Sequence, residues 1–514
     1  MAPWGRSDSS VRLNRLRMNF LTSPPIARTF KRSPFAAILF VIFALSMVLR
    51  FWGLERFNTF VFDEIYYADF AENYLSRTPF FNAHPPLSQY LIAMGIAIGE
   101  KLPFGAGVVN DLTGTVLKTW SYRWLNALTG SFIPLVVAGL AYQLTKRDRL
   151  AIIAGLLSAL DGLFLVESRY ALNNIYLVLF GLLGQVCFLV AARRGSQERL
   201  GNLGDWFWLL LSGFFFGCSV SIKWNGLWFL IATLGLYLAA WAVRWIRGPE
   251  SIDRDNDDLA KNITRLPIAP LVVSAAIVPF LTYYILWIPH IQQNPKLQFW
   301  TLQWEIYDYH RGVTVIGNVH DYCSEWWTWL VMLIPVAYFY KVGINPTEFI
   351  PLKATNTALP GASIYAVHAM GNPFLWWFST VAIAIVLVTL LTRLIPAIKT
   401  RQVSNDSWVL LTFAIGYSGN LLPWVKISRC AFLYHYMGAS VFATLSLAYW
   451  FDRALSKPNL RGFAIWGLFL MAIGFVWWMP VYLGLPLDAP GYQSRMWFRS
   501  WVGGVNAFKP ASPR

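Results

Sequence analysis

The chain has 514 residues, 56% of them hydrophobic and only 13% charged. A water-soluble fold of this length cannot conceal so much apolar surface, so the composition excludes a soluble globular protein. The net charge of +16 does not point to nucleic acid, because Lys and Arg gather in short runs between apolar segments, the positive-inside pattern rather than a recognition face.

The predicted fold is an all-α polytopic integral membrane protein, since each span requires about 20 apolar residues in a helix that satisfies its own backbone. Residues 1–34 form a basic cytoplasmic N-terminus, with Arg12, Arg15, Arg17, Arg28, Lys31 and Arg32. The apolar run Phe35 to Gly53 is long for a signal peptide and lacks a small-residue cleavage site, so it reads as a retained anchor. Residues 54–120 form the first outer loop, in which Ile65–Leu75 and Pro86–Ile98 are expected to be helices at the membrane interface. Arg123–Thr145 then spans inward to Lys146 and Arg147, Leu150–Val166 returns outward, and Leu172–Ala192 comes back to Arg193 and Arg194. Trp206–Ser221, Gly226–Trp245 and Pro267–Ile288 continue the alternation and complete a transmembrane core over 35–289. Residues 290–371 form a large outer loop, in which Trp326–Tyr340 is apolar enough to be half buried. The C-terminal helices, 372–480, are Pro373–Leu391, Trp408–Trp424, Phe432–Trp450 and Phe463–Pro480, followed by an outer tail, 481–514. The expectation is about eleven spans.

Four cysteines, Cys187, Cys218, Cys323 and Cys430, show no CxxC spacing and no zinc framework. Cys187 and Cys218 lie in apolar runs as small hydrophobes. Cys323 and Cys430 both map to the outer side, which leaves a disulfide between them open. Asn262 and Asn405 sit in Asn-x-Ser/Thr matches on the cytoplasmic side, where glycan acceptance is not expected.

The stretch Phe57 to Tyr67, containing Asp63 and Glu64, follows the first span directly, and His84-Pro-Pro-Leu87 lies beyond it. Adjacent carboxylates among Phe62, Ile65, Tyr66 and Tyr67 are costly to desolvate, and groups so placed tend to have a chemical task. The plainer reading is that they cap the helix that follows, and the two readings are compatible.

On this topology, polar residues that membranes disfavour converge on the outer face. They are Asp63, Glu64, His84, Glu167, Arg169, Lys223, Asn225, His310, Arg311, His320, Asp321, Lys426, Arg429 and His435. Each cation alone has an ordinary explanation, since Lys and Arg near span ends reach for headgroups. Together, carboxylates beside several cations suit a lipid-phosphate ligand. No HExxH motif, no GxSxG elbow and no Gly-rich phosphate loop occurs, so metal catalysis, a serine nucleophile and ATP are not expected.

Phe62-Asp-Glu-Ile-Tyr-Tyr67 with His84-Pro-Pro-Leu87, Ser168-Arg-Tyr-Ala-Leu-Asn-Asn174, Ser221-Ile-Lys-Trp-Asn-Gly-Leu227, Leu422-Pro-Trp424 and Arg429-Cys-Ala-Phe-Leu-Tyr-His-Tyr436 resemble, in order, the motifs of the protein O-mannosyltransferase family. The resemblance runs from about the first span to the last. It implies a glycosyltransferase C type enzyme of the bacterial plasma membrane, with its active site on the outer face. Such an enzyme moves mannose with inversion from polyprenyl-phosphate-mannose to Ser or Thr of extended polypeptides emerging from the translocon. It implies no cofactor and no metal, the lipid-linked sugar being a substrate. By this resemblance Asp63 is the catalytic base, Glu64 orients acceptor or sugar, and Arg169, Lys223 and Arg429 bind the donor phosphate. His84, Asn174, Asn225, Trp424, Tyr434 and His435 are candidates for contact with acceptor or sugar. Two departures stand out. Asn174 occupies a position where the family pattern usually carries an acid, and the large loop is too short for the β-trefoil module of eukaryotic members.

A phosphate leaving group departs as an anion and needs no general acid, so one base suffices. Two other functions fit parts of the sequence. A related enzyme acting on a lipid or cell-wall glycan would share the donor site, whereas a lipid-linked sugar transporter would carry charges near mid-span rather than at one face.

Overall fold

The computed structural model describes residues 34–194, 203–248, 258–312, 320–347, 349–350, 361–427 and 429–508. The basic N-terminus up to residue 33 and the acidic run 253–257 lie outside the described residues. Among the described residues, eight helices are long and apolar enough to cross a membrane. They are Pro34–Phe51, Thr119–Thr145, Asn174–Arg194, Trp224–Arg247, Ile268–Gln293, Pro373–Thr400, Asn405–Lys426 and Pro458–Leu483. Three further helical stretches stand where the other spans are expected: Asp148–Ala159 with Gly162–Glu167, Leu203–Val220, and Met437–Leu455. The last is buried almost throughout and packs between Asp148–Ala159, Pro373–Thr400 and Asn405–Leu421.

The predicted span Leu150–Val166 is broken at Leu160–Asp161. Asp161 accepts the backbone N–H groups of Leu163 at 2.8 Å and Phe164 at 3.2 Å, and so starts a new short helix as its N-cap. The break turns the chain, so that Glu167 to Asn174 lie across the end of the bundle where the first loop sits. At the opposite end, Arg149 and Asp452 are 2.6 Å apart, and Arg147 and Arg453 both reach Asp406.

In the first loop, Glu64–Leu75 and Leu87–Gly99 pack on each other, and Leu87–Gly99 packs on Thr119–Thr145. Ala68, Ala71, Ile92, Ala93 and Ile96 are buried there, and Leu87–Gly99 has only 13 residues, too few to cross a bilayer.

The all-α reading holds for the membrane body, while the large loop adds a small sheet. Trp326–Tyr340 is not one half-buried segment. It divides into a short helix, Trp326–Trp329, and the strand Val336–Gly343. That strand pairs antiparallel with Ser363–Ala369 on one side and Phe349–Ile350 on the other. Its pairing runs Ala337 to His368 and then Phe339 to Val367, so Tyr338 is the extra residue of a β-bulge. Cys323 and Cys430 form a disulfide with a Cα–Cα separation of 5.1 Å, which answers what the sequence left open. The tail does not trail away: Trp501 donates to the Met332 carbonyl at 3.0 Å and Val505 to the Asp321 carbonyl at 2.6 Å.

Candidate active site

Asp63 and Glu64 are neighbours with opposite fates. Glu64 is fully buried and paired with Arg123, whose Nε and Nη2 donate to its two oxygens at 2.8 and 2.7 Å. The same carboxylate accepts the backbone N–H of Val61 at 2.8 Å and of Ala171 at 2.9 Å. Arg123 also donates to the carbonyls of Leu54, Phe57 and Thr59. Every strong acceptor direction of Glu64 is therefore occupied by protein, where the motif resemblance has it orienting acceptor or sugar. It is the pin that ties the first loop to Thr119–Thr145 and to the loop before Asn174. Sequence reasoning missed Arg123, which stands at the start of a predicted span and reads there as an ordinary boundary cation.

Asp63 occupies the N-cap position of Glu64–Leu75, yet its side chain makes no capping hydrogen bond. Burial raises its carboxyl from an ordinary 3.8 to about 6, with Lys223 pulling the other way. The preceding residue, Phe62, has φ +55, a left-handed conformation that a bulky residue adopts at a cost of about 1–3 kcal/mol. The Phe62 ring over-determines it by stacking on Tyr338 at 4.0 Å and meeting Tyr434 at 6.2 Å and Phe432 at 6.3 Å edge-on. The bulge at Tyr338 thus presents the ring on which the Asp63 backbone turn is built.

Facing Asp63 is a chain of polar groups. Lys223 Nζ donates to Asn174 Oδ1 at 3.0 Å and lies 5.4 Å from the centre of the Tyr434 ring. Asn174 Nδ2 donates to Glu167 Oε2 at 3.1 Å, and the Tyr338 hydroxyl donates to Glu167 Oε1. Burial lowers the Lys223 ammonium, opposed by the carboxylates of Asp63 and Glu167.

His84 stacks on His310 at 5.1 Å, and His310 Nε2 contacts the Ala83 carbonyl at 2.9 Å. Burial, reinforced by Lys223, His310, Arg429 and His435, keeps His84 neutral. Asn174, Asn225, Trp424, Tyr434 and His435 line one small cleft. Trp424 Nε1 is buried there with no partner among the described residues, and the His435 ring lies 4.3 Å from the Trp424 ring. Burial lowers the Arg429 guanidinium, which the Tyr434 ring system partly offsets.

Arg169 does not join this group. Its guanidinium donates to the carbonyls of Leu49, Arg50, Trp52 and Gly53 at 2.8 to 3.0 Å. It closes the C-terminal end of the first helix, whose last carbonyls have no helical partner. The expected phosphate contact is thus matched here by contacts to backbone carbonyls, and the geometry of a side chain after a helix break is not readable from its neighbours in sequence. Tyr338 and Glu167 are the residues that the motif reading left without a role. Glu167 was legible as an acid at the end of an apolar run, whereas Tyr338 carries no signal. Among the described residues, no group of three His, Cys, Asp or Glu side chains converges as a metal site would require.

The pattern of the family described as dolichyl-phosphate-mannose-protein mannosyltransferase matches residues 40–292. That of the C-terminal four-transmembrane region of protein-O-mannosyltransferase matches residues 296–501. The polyprenol-phosphate-mannose–protein mannosyltransferase of Mycolicibacterium smegmatis is 24% identical, over 93% of this chain and 95% of its own. The protein of the same name from Corynebacterium glutamicum is also 24% identical, over 93% and 96%. The fold is similar to that of the S. cerevisiae protein O-mannosyltransferase Pmt1-Pmt2 complex bound to its sugar donor, with a TM-score of 0.71 at 14% identity, covering 97% of this chain and 95% of that one. With the two family patterns meeting end to end across the membrane body and the large loop, the chain belongs to the protein O-mannosyltransferase family.

Proposed function

We propose that this multi-pass membrane protein transfers mannose, with inversion, from polyprenyl-phosphate-mannose to Ser and Thr hydroxyls of extended polypeptides. The observation that carries the proposal is Asp63: a carboxylate raised to about 6, left uncapped beside a buried ammonium, in a family of this activity. A base is most effective when its pKa lies near the working pH, deprotonated yet still able to accept a proton. Asp63 takes the proton of the acceptor hydroxyl as its oxygen attacks the anomeric carbon, and the polyprenyl phosphate leaves from the opposite side. Lys223 and Arg429 stabilise the charge that builds on the departing phosphate, the contribution usually largest in such transfers. Asn174, Asn225, Trp424, Tyr434 and His435 line a small cleft that widens to take the sugar, and the Trp424 N–H, without a partner among the described residues, is available to one of its hydroxyls. Neutral His84 flanks the phosphate side. The site faces outward from the bacterial plasma membrane, with the N-terminus in the cytoplasm. The Cys323–Cys430 disulfide at this end supports that orientation, since disulfides persist in oxidising compartments. Translocating polypeptides are the acceptors in that orientation.

The test is transfer by the purified chain in nanodiscs supplied with radiolabelled polyprenyl-phosphate-mannose and a Ser/Thr peptide. The expected result is label on the peptide that alkali releases, as for an O-linked sugar. Label passing only to a lipid or glycan acceptor would overturn it. Arg169 has no part in donor binding on this reading. Arg169→Ala is expected to destabilise the protein by at least about 3 kcal/mol, because several carbonyls lose a charged donor. The folded fraction should bind polyprenyl phosphate as the wild type does. Weakened lipid binding at unchanged melting temperature would return Arg169 to the phosphate site.

A further inference from the structure

Glu167 is a fully buried carboxylate to which the proposed reaction gives no task. We infer that Glu167 is a positioning residue for the donor phosphate: acting through the Asn174 amide, it holds the Lys223 ammonium aimed at that phosphate and supplies the negative charge that Asn174 itself lacks. This rests on the reading that Lys223 meets a lipid phosphate.

The polarity of the contacts allows one arrangement. An ammonium has donors only, so Lys223 must meet the carbonyl end of Asn174, at 3.0 Å. That turns the NH2 end toward an acceptor, which Glu167 provides at 3.1 Å. The remaining Glu167 oxygen is filled by the Tyr338 hydroxyl. Both oxygens therefore accept hydrogen bonds, as suits an ionised carboxylate. Two physical consequences follow from placing the charge one amide behind the lysine. Lys223 keeps further N–H groups for a ligand, since a single one is used by Asn174. The compensating carboxylate also stays out of direct contact with the anionic phosphate it helps to recruit. Asn174 carries no charge of its own, so the nearest negative charge behind the Lys223–Asn174 contact is the Glu167 carboxylate. The other charged and titratable groups facing Lys223 are Asp63, Arg429, His84, His310 and His435, with the Tyr434 ring beside its Nζ.

The reciprocal exchange tests this in the full chain in nanodiscs, with polyprenyl phosphate alone as the probe and sugar transfer measured separately. Glu167→Gln is expected to weaken lipid-phosphate binding about tenfold, the worth of a hydrogen bond to a charged group. It should also move the alkaline limb of binding down by about one pH unit, because Lys223 loses a carboxylate that favours its protonated form. The double variant E167Q/N174D reverses the polarity without removing a contact. The new amide at 167 accepts from Tyr338 and donates to the new carboxylate at 174, which accepts from Lys223. It is expected to recover binding to within about threefold of wild type, with the alkaline limb restored.

A merely structural role for Glu167 would not move the limb. The inference is overturned if Glu167→Gln binds with unaltered affinity and limb, or if the double variant is no better than the single. Should Glu167→Gln fail to fold, the double variant decides alone: it must fold and bind like the wild type. A wild type that binds no polyprenyl phosphate overturns it outright. A wild type that binds the lipid and obeys the exchange but transfers no mannose would defeat the proposed function and leave this inference standing.

Discussion

Asp63→Asn is expected to lower kcat/KM for mannosyl transfer about a thousandfold, within the range attributable to a positioned general base. The isosteric amide keeps the shape of the turn after Phe62 but cannot take the hydroxyl proton. In the wild type, kcat/KM should fall as the pH drops through about 6, where the Asp63 carboxyl takes up its proton. The residual rate of the variant should show no such limb. Stability should move the other way. The folded carboxyl binds its proton more tightly than the unfolded one, from an ordinary 3.8 to about 6. Folding is therefore favoured as the pH falls from about 6 toward 4 and opposed as it rises. An uncharged side chain removes that opposition, so the variant should melt at or above the wild-type temperature at pH 7. A residue whose charge opposes folding and is essential to turnover has the profile of a functional group rather than a cap. A variant that turns over normally, or one that retains the acid limb, would remove Asp63 from the mechanism.

The parts of the molecule legible in the sequence are those governed by local rules. Apolar runs ending in basic residues located the helices, as with Asn174–Arg194 and its terminal Arg193 and Arg194, because span length and charge bias act within one segment. Asp63 and Lys223 were legible because their motifs lie next to span ends that the topology brings to one face. What escaped depends on contacts between distant segments or on single backbone angles. Glu64 and Arg123 are 59 residues apart, and nothing local distinguishes Glu64 from Asp63. Their difference arises because one carboxylate turns into the bundle to meet Arg123 while the other stays within reach of the Lys223 charge. Val336–Gly343 carries buried Val336, Tyr338 and Phe339 without strict alternation, so its period identifies neither strand nor helix. The bulge that aims Tyr338 is a property of register with Ser363–Ala369, and register is set across strands. The left-handed Phe62 is a further example: only the aromatic cage around it makes that conformation tolerable.

Arg123→Met is expected to be the most destabilising change at this end of the protein. It leaves the Glu64 carboxylate buried without a cation, a situation that costs about 3–5 kcal/mol. It also strips the donor from the carbonyls of Leu54, Phe57 and Thr59. Glu64→Gln should be milder, since an amide oxygen still accepts from part of the set that Val61, Ala171 and Arg123 present. The double variant E64Q/R123M should regain part of the loss, because it removes the unpaired charge. It should not regain all of it, because the three loop carbonyls remain unserved. The measurement is a double-mutant cycle on thermal unfolding in detergent, in which residues in direct contact show non-additivity of about 0.5–3 kcal/mol. Were Glu64 a substrate-orienting group instead, Glu64→Gln would raise KM at an unchanged melting temperature and Arg123→Met would fold normally. The pin matters for function through distance alone. Asp63 is covalently next to Glu64, so the ion pair that fixes one carboxylate in the bundle also sets where the other stands relative to Lys223.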